Sequence, residues 1–417
     1  MSHPVNESAE DSVTSGSGPD ASPHRVVYAY NGFYQGRKEL GPTSSWELTW
    51  RESLRSRFGA SLVTFNPDAF GPTSNRESDA ALLDLVREFD PDMLVMISHV
   101  GIEWERDFIS RETLRSIRAA GVKVVAIWGD LQFPKERKQL RALRGCVDLN
   151  ACTASQAVAQ RMSHRDPMMY TWVPISDEPL AERCDCGALV SYAGALKQGR
   201  DHTIAYLEAQ GIRVHVGGGE GAKALTREEY LRLLAHPIAI SFSRSDMETV
   251  TNARTFEVIR QGVVLMEQWG RETAKLLAPY VEYVPWNDHQ DLLQQITRLA
   301  TDPERRARIA DNGRLASERF SNDALWARVL DRIGEHSHAL PVESFAVDWA
   351  AYRGPHRRRE QMQDWLSRRP EMNGWLTFRL HLRGATYRTR RLLSSARRVS
   401  AARHADDGML HDEETSS

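Results

Sequence analysis

Arg254 and Glu257 stand three positions apart in the stretch Arg254-Thr255-Phe256-Glu257-Val258-Ile259-Arg260-Gln261-Gly262. On a helix they share a face, and one consequence of that spacing is an ordinary i,i+3 ion pair. The other is chemistry. An arginine fork neutralises a diphosphate, and a glutamate accepts two hydrogen bonds, as a pair of neighbouring hydroxyls would supply. A helix start adds free backbone N–H groups and a partial positive charge, both suited to phosphate. Further cations stand nearby in the sequence or at matching turns: Arg244 in Ser243-Arg244-Ser245-Asp246-Met247-Glu248, and Lys197 and Arg200 just after Gly194.

The elements around these residues follow the grammar of a parallel sheet. Ile238 to Ser243 is a β-prone run that breaks into the polar loop, Arg254 to Arg260 is a short helix, Gly262 stops it, and Val263-Val264-Leu265-Met266 is the next strand. Upstream, Leu189 to Gly194 and Arg213 to Val216 are two more strands, and Thr226-x-x-Glu229 is a capping box that opens a helix. Gly217-Gly218-Gly219-Glu220-Gly221-Ala222 satisfies the dinucleotide pattern G-x-G-x-x-A. It follows the second strand of its domain, however, and no acidic residue stands about 20 positions on, as that fingerprint requires. Gly218 then either lets the backbone approach a nucleotide or makes a plain turn.

The first half repeats the pattern. Strands are expected at 25–30, 61–65, 93–98, 122–127 and 147–152, with helices at 45–58, 78–89, 111–120 and 137–144, and Ser155 caps one more. The third strand runs out through Ser98-His99-Val100-Gly101, and the fourth through Trp128-Gly129-Asp130-Leu131-Gln132-Phe133-Pro134. His99 and Asp130 are thereby placed at the carboxyl edge of a sheet, where ligands bind in open α/β folds. Each has two readings: His99 contacts a hydroxyl or is simply solvated, and Asp130 orients a hydroxyl or caps the following turn.

Arg-Thr-Phe-Glu, a glycine five residues after the glutamate, an apolar strand, Tyr283-Val284-Pro285-Trp286, a helix from Asp288 and Asp302-Pro303-Glu304-Arg305-Arg306 to Asn312-Gly313 form an ordered series. It resembles the nucleotide-sugar half of group-1 glycosyltransferases of the GT-B fold, in the branch typified by spore maturation glycosyltransferases. The resemblance implies two Rossmann-like domains facing a cleft; composition makes 1–24 a disordered leader, and the proline-containing, acidic stretch from Pro174 to about Cys186 divides an acceptor domain at 25–178 from a donor domain at 186–335. The resemblance also implies a nucleotide-sugar co-substrate, no metal, retention of anomeric configuration, and a glycan, lipid-linked or protein acceptor. Residue by residue, it places Glu257 on the ribose hydroxyls, and Arg254, Arg200, Lys197 and Arg244 on the diphosphate beside Gly194. Many relatives carry a second glutamate eight positions before the first; here that position is Thr249, and Glu248 stands one place off. Where many carry a histidine, this chain has Trp128. These departures keep two alternatives open: a non-catalytic binding protein on the same scaffold, and a dinucleotide enzyme resting on Gly217 to Ala222.

Length and composition set the frame. The chain has 417 residues and a formal net charge of -2, which carries no sign of a nucleic-acid partner. Its four cysteines, Cys146, Cys152, Cys184 and Cys186, are too few for a disulfide framework and lack a second pair for a metal site. With no apolar run near the roughly 20 residues that span a bilayer and no signal-peptide pattern, a cytoplasmic protein is expected. From Asp288 onward Leu292, Leu293, Ile296, Leu299, Ile309, Leu315 and Phe320 are expected in the core. Residues 336–417 differ in kind: fourteen arginines face three carboxylates between Tyr352 and Arg403, interleaved with aromatic and leucine residues, before an acidic, disordered end. This basic amphipathic tail reads as a membrane-surface helix at the inner face, a partner-binding arm or a solvated helix.

Overall fold

The computed structural model describes residues 24–31, 45–70, 75–97, 109–175, 182, 187–196, 199–218, 225–242 and 250–334. All belong to one compact unit spanning Met1–Val347. The basic tail, the amino-terminal leader, Cys184 and Cys186 lie outside the described residues.

In the first half, β1 (Val26–Ala29), β2 (Leu62–Phe65), β3 (Met93–Ile97), β4 (Lys123–Trp128), β5 (Leu149–Cys152) and β6 (Met168–Tyr170) form a sheet in the order β2-β1-β3-β4-β5-β6. In the second, β7 (Val190–Ala193), β8 (Val214–Gly217), β9 (Ile238–Ser241), β10 (Val264–Gln268) and β11 (Val284–Trp286) give the order β11-β10-β9-β7-β8. Every strand pairing is parallel. The burial pattern of β1, β3 and β9 is continuous, as strands covered on both faces require. Pro285 is accommodated because β11 is an edge strand with one side free of ladder bonds.

The helices that connect the first sheet are α1 (Ser45–Phe58), α2 (Asn75–Phe89), α3 (Arg111–Ala119), α4 (Pro134–Ala142) and α5 (Gln156–Ser163). Those of the second are α6 (Arg200–Ala209), α7 (Arg227–Leu234), α8 (Ala253–Arg260), α9 (Arg271–Leu276), α10 (His289–Thr301) and α11 (Pro303–Ser317). Local chemistry sets many of their ends. Both bonds of the Thr226–Glu229 capping box are made, and Asp288 accepts from the amides of Gln290 and Asp291 at the start of α10. The helix expected from Arg137 begins instead at Pro134, since proline at a first helical position has no N–H to leave unsatisfied.

The last helix, α12 (Asn322–Gly334), crosses to the first half. Trp326 packs edge-on against Trp50 and Phe58, and its indole N–H donates to Ser53 Oγ at 2.9 Å. Asn322 Nδ2 donates to the carbonyl of Ile175 at 2.9 Å. Leu315 departs from expectation, being 54% exposed. α11 packs instead through Ile309, Ala310, Gly313 and Ala316, a stripe that Leu315 does not share. A Cβ on Gly313 would stand 2.8 Å from the backbone oxygen of Glu282, so glycine is what lets α11 lie this close.

Candidate functional site

In the second sheet β8 and β9 lie on opposite sides of β7, so the connections leave in opposite directions at β7 and β9. Such a switch point opens a crevice at the carboxyl edge of the strands. β7 ends in Tyr192, Ala193 and then Gly194, whose φ is +137°. A Cβ on Gly194 would meet Arg254 Nη2 at 2.9 Å and the Tyr192 hydroxyl at 3.0 Å. The missing side chain is therefore the space in which the Arg254 guanidinium lies. Arg254 also stands over the Tyr192 ring, its Cζ 5.5 Å from the centroid.

Arg200 arrives at the same tyrosine from the first turn of α6. Its Nη1 donates to the Tyr192 hydroxyl at 3.3 Å, and its Cζ lies 5.7 Å from the Phe242 ring centroid, just past β9. Tyr192 and Phe242 meet edge to face at 5.2 Å. Two guanidinium groups thus flank one aromatic ring at the switch point. Among the described residues neither is paired with a carboxylate, and Arg254 Nε is buried with no hydrogen-bond partner. Like charges held together without a counter-ion are unfavourable, and a bound anion relieves this.

The ion pair that the spacing of Arg254 and Glu257 allows does not form. Glu257, 7% exposed, accepts a short hydrogen bond from the hydroxyl of Tyr230 on α7, while Arg254 turns toward β7. The start of α8 is held from below. Asn252 Oδ1 accepts from the Thr255 amide at 3.3 Å, and Asn252 Nδ2 donates to Ser241 Oγ at 3.3 Å. The fully buried carboxylate of Glu267 accepts from the hydroxyls of Thr255 and Thr273. A helix whose first turn is fixed in this way presents Arg254 and Glu257 in defined directions.

The carboxyl edges of the two sheets meet beside this helix. The Thr251 amide donates to the carbonyl of Ala154 at 3.3 Å. Glu272 Oε2 accepts from the amides of Gln156 and Ala157, at 2.6 and 3.3 Å, at the start of α5, and Lys275 balances its other oxygen at 2.7 Å. In the first half, Asp130 lies exposed beyond β4, and Gln132 Nε2 donates to its Oδ1 at 2.8 Å. Glu136, in the first turn of α4, has its carboxyl raised from the ordinary 4.5 to about 7 by burial first and by the charge of Asp130 second, with Lys135 opposing. Trp128 is fully buried, its indole N–H on Asn150 Oδ1 at 2.9 Å, so it serves packing.

Of the residues singled out in the sequence, Arg254, Arg200 and Gly194 are brought together, and Gly218 sits beside them, its ideal Cβ position 3.8 Å from the Gly194 nitrogen. Glu257 lies on the same helix as Arg254, and Asp130 stands on the other sheet. His99, Lys197, Arg244 and Glu248 lie outside the described residues, as do residues 219–222 of the glycine-rich run. Sequence reasoning did not single out Tyr192, Phe242, Tyr230, Asn252 or Glu272. Asn252 alone carried a local signal, a cap-forming residue just before the helix; the others act across the fold. Among the described residues no group of three or more His, Cys, Asp or Glu is placed to hold a metal, and no helix is long and apolar enough to cross a membrane.

Residues 200–334 match the family model described as Glycosyl transferase-like. The match takes in most of the second sheet and its helices, α6 to α12. A search of the curated proteins finds no match. Among solved structures, Anabaena HepE in complex with UDP and glucose superimposes with a TM-score of 0.53 at 14% identity, over 75% of this chain and 100% of that one. Its complex with UDP-glucose gives the same values. Sucrose-phosphate synthase from Thermosynechococcus elongatus aligns at a TM-score of 0.49 and 11% identity, over 74% of this chain and 98% of that one. The two parallel sheets are those of the GT-B fold.

Proposed function

We propose that this glycosyltransferase moves a sugar from a nucleotide-sugar donor, held at the β7/β9 switch point, to a hydroxyl of an acceptor bound mainly by the first half. The observation that carries the reading is the pair of arginines, Arg200 and Arg254, that converge on Tyr192 and Gly194 without a carboxylate partner among the described residues. In glycosyl transfer the bond from the anomeric carbon to the diphosphate breaks, the bond to the acceptor oxygen forms, and the hydroxyl proton is released. Negative charge gathers on the departing diphosphate. Fixed guanidinium groups and the N–H groups of a helix start stabilise it there, and they do so without reorganising.

In the same reading Glu257, oriented by Tyr230, accepts the ribose hydroxyls of the nucleotide. Anomeric retention, independence of metal and kinship with the spore maturation branch are further parts of the proposal. So is a peripheral membrane role for the basic tail, which would carry the enzyme to its acceptor.

Thermal shift against UDP, GDP, ADP, dTDP, their sugars and NAD tests the reading, with UDP-glucose first because HepE holds it. A ligand at a hundred times its dissociation constant stabilises by about 2.7 kcal/mol. One nucleotide diphosphate stabilising the wild type, with the effect lost in Glu257→Ala and Arg254→Ala, is the expected result. Stabilisation by NAD alone overturns it.

A further inference from the structure

Tyr230 and Glu257 come from different helices and meet through one hydrogen bond, from the phenol hydroxyl to Glu257 Oε2. Both stand near the beginnings of those helices, Tyr230 in α7 and Glu257 in α8. A helix that leaves a parallel strand begins at the strand's carboxyl edge, so the two side chains share the edge that holds Gly194, Gly218 and the Arg200–Arg254 pair. Tyr230 is half-buried there, and Glu257 is nearly enclosed.

The placing of Tyr230 is built. The Thr226–Glu229 capping box fixes the turn just before it. Leu225 and Leu233, on either side of it in the chain, pack where a side chain on Gly217 would be: a Cβ there would meet Leu233 Cδ2 at 2.7 Å and Leu225 Cδ1 at 3.1 Å. α7 is thereby seated against the end of β8, and the phenol is aimed at α8.

In this arrangement Glu257 Oε2 already has a donor. A ribose brings two neighbouring hydroxyls, and a carboxylate that accepted both would share Oε2 between one of them and Tyr230. The phenol supplies an acceptor of its own. Having donated its one hydrogen, a phenol oxygen still accepts through its lone pairs, and donation to a carboxylate polarises it and makes it a better acceptor.

We propose that Glu257 and Tyr230 divide the ribose between them: Glu257 accepts from one hydroxyl, and Tyr230 accepts from the other while donating to Glu257. Tyr230 is then a specificity-determining residue that reads a ribose hydroxyl directly, beyond its support of Glu257. This deepens the glycosyltransferase reading and rests on it. A nucleotide lacking either hydroxyl forfeits one bond of the pair.

The test is a cycle between residue and ligand on the full chain. UDP, GDP and ADP, each with its 2′-deoxy and 3′-deoxy analogue, and dTDP are titrated by calorimetry against the wild type, Tyr230→Phe and Thr226→Ala. The wild type is expected to bind one ribonucleotide, and each of its deoxy analogues about fivefold or more weakly. Tyr230→Phe should weaken the complete nucleotide and one deoxy analogue about fivefold or more, and the other deoxy analogue by less than about twofold, because that one lacks the hydroxyl the phenol receives. Thr226→Ala loosens the same helix and keeps the phenol, so it should weaken all three ligands alike. Equal weakening of both deoxy analogues by Tyr230→Phe means that the phenol only orients Glu257, and overturns the proposal. So does a wild type that binds either deoxy analogue as tightly as the complete nucleotide, or that binds dTDP alone; the donor reading survives these outcomes. A wild type that binds no nucleoside diphosphate overturns the donor reading, and the proposal falls with it.

Discussion

Replacing Glu136 by glutamine should stabilise this protein at neutral and alkaline pH and leave it unchanged in acid. In the folded chain the Glu136 carboxyl is raised from 4.5 to about 7, chiefly by burial and then by the charge of Asp130. A carboxyl raised on folding binds its proton more tightly in the native state. Its contribution is fully present below pH 4.5, falls as pH rises toward 7, and is lost above it. At about 1.36 kcal/mol per pH unit the ceiling is about 3 kcal/mol. Partial solvent access reduces this to about 1–2 kcal/mol. Glutamine keeps the shape and never ionises, so Glu136→Gln should gain that amount above pH 7, about 2–4 °C in Tm for each kcal/mol. Melting both proteins from pH 4.5 to 8.5 and plotting the difference removes the titration of every other group. The difference should open between pH 4.5 and 7 and then level off, and Asp130→Asn should narrow it by removing the second cause. A difference that is flat across this range refutes the reasoning.

The other predictions follow from single contacts. Arg254→Ala should leave the ligand-free protein within about 1 kcal/mol of the wild type, because among the described residues its guanidinium makes a cation–π contact and no ion pair, yet weaken nucleotide diphosphate binding about tenfold or more, read by calorimetry. Tyr230→Phe removes the hydroxyl that orients Glu257 and should weaken nucleotide binding without altering circular dichroism, by less than Glu257→Ala does. Glu272→Ala strips an acceptor from two amides at the start of α5 and should cost about 2–4 kcal/mol in urea unfolding. Gly313→Ala gains helix propensity of about 1 kcal/mol, but its methyl group meets a backbone carbonyl at 2.8 Å; overpacking of about 1–3 kcal/mol should win, seen as a lower urea midpoint.

Much of the fold was legible because its causes are local. The apolar runs at 93–97 and 123–128 are strands by composition, and Thr226 with Glu229 writes a helix start within four residues. α1 occupies Ser45–Phe58, as its pattern predicts. The sequence alone also placed Arg254 and Glu257 at a helix start and Asp130 after a strand. It left Leu315 in the core, since a period of 3.6 admits more than one apolar stripe and only the neighbour of α11 selects between them.

Tertiary structure decided what those residues face. Spacing offered Arg254 and Glu257 an ion pair, and packing gave each a different partner, Tyr192 and Gly194 for one and Tyr230 for the other. Arg200 reaches Tyr192 across the turn from β7 to α6, eight positions away, but meets Phe242 only because β7 and β9 are neighbours in the sheet. Glu272 holds amides 116 and 115 positions away, and Glu136 holds its proton near neutrality because the fold buries it. Caps, glycine stops and strand runs act over a few residues and so are written in the chain. Ion-pair choice, burial and proton affinity depend on atoms distant in sequence, and only the packed sheets bring those atoms together.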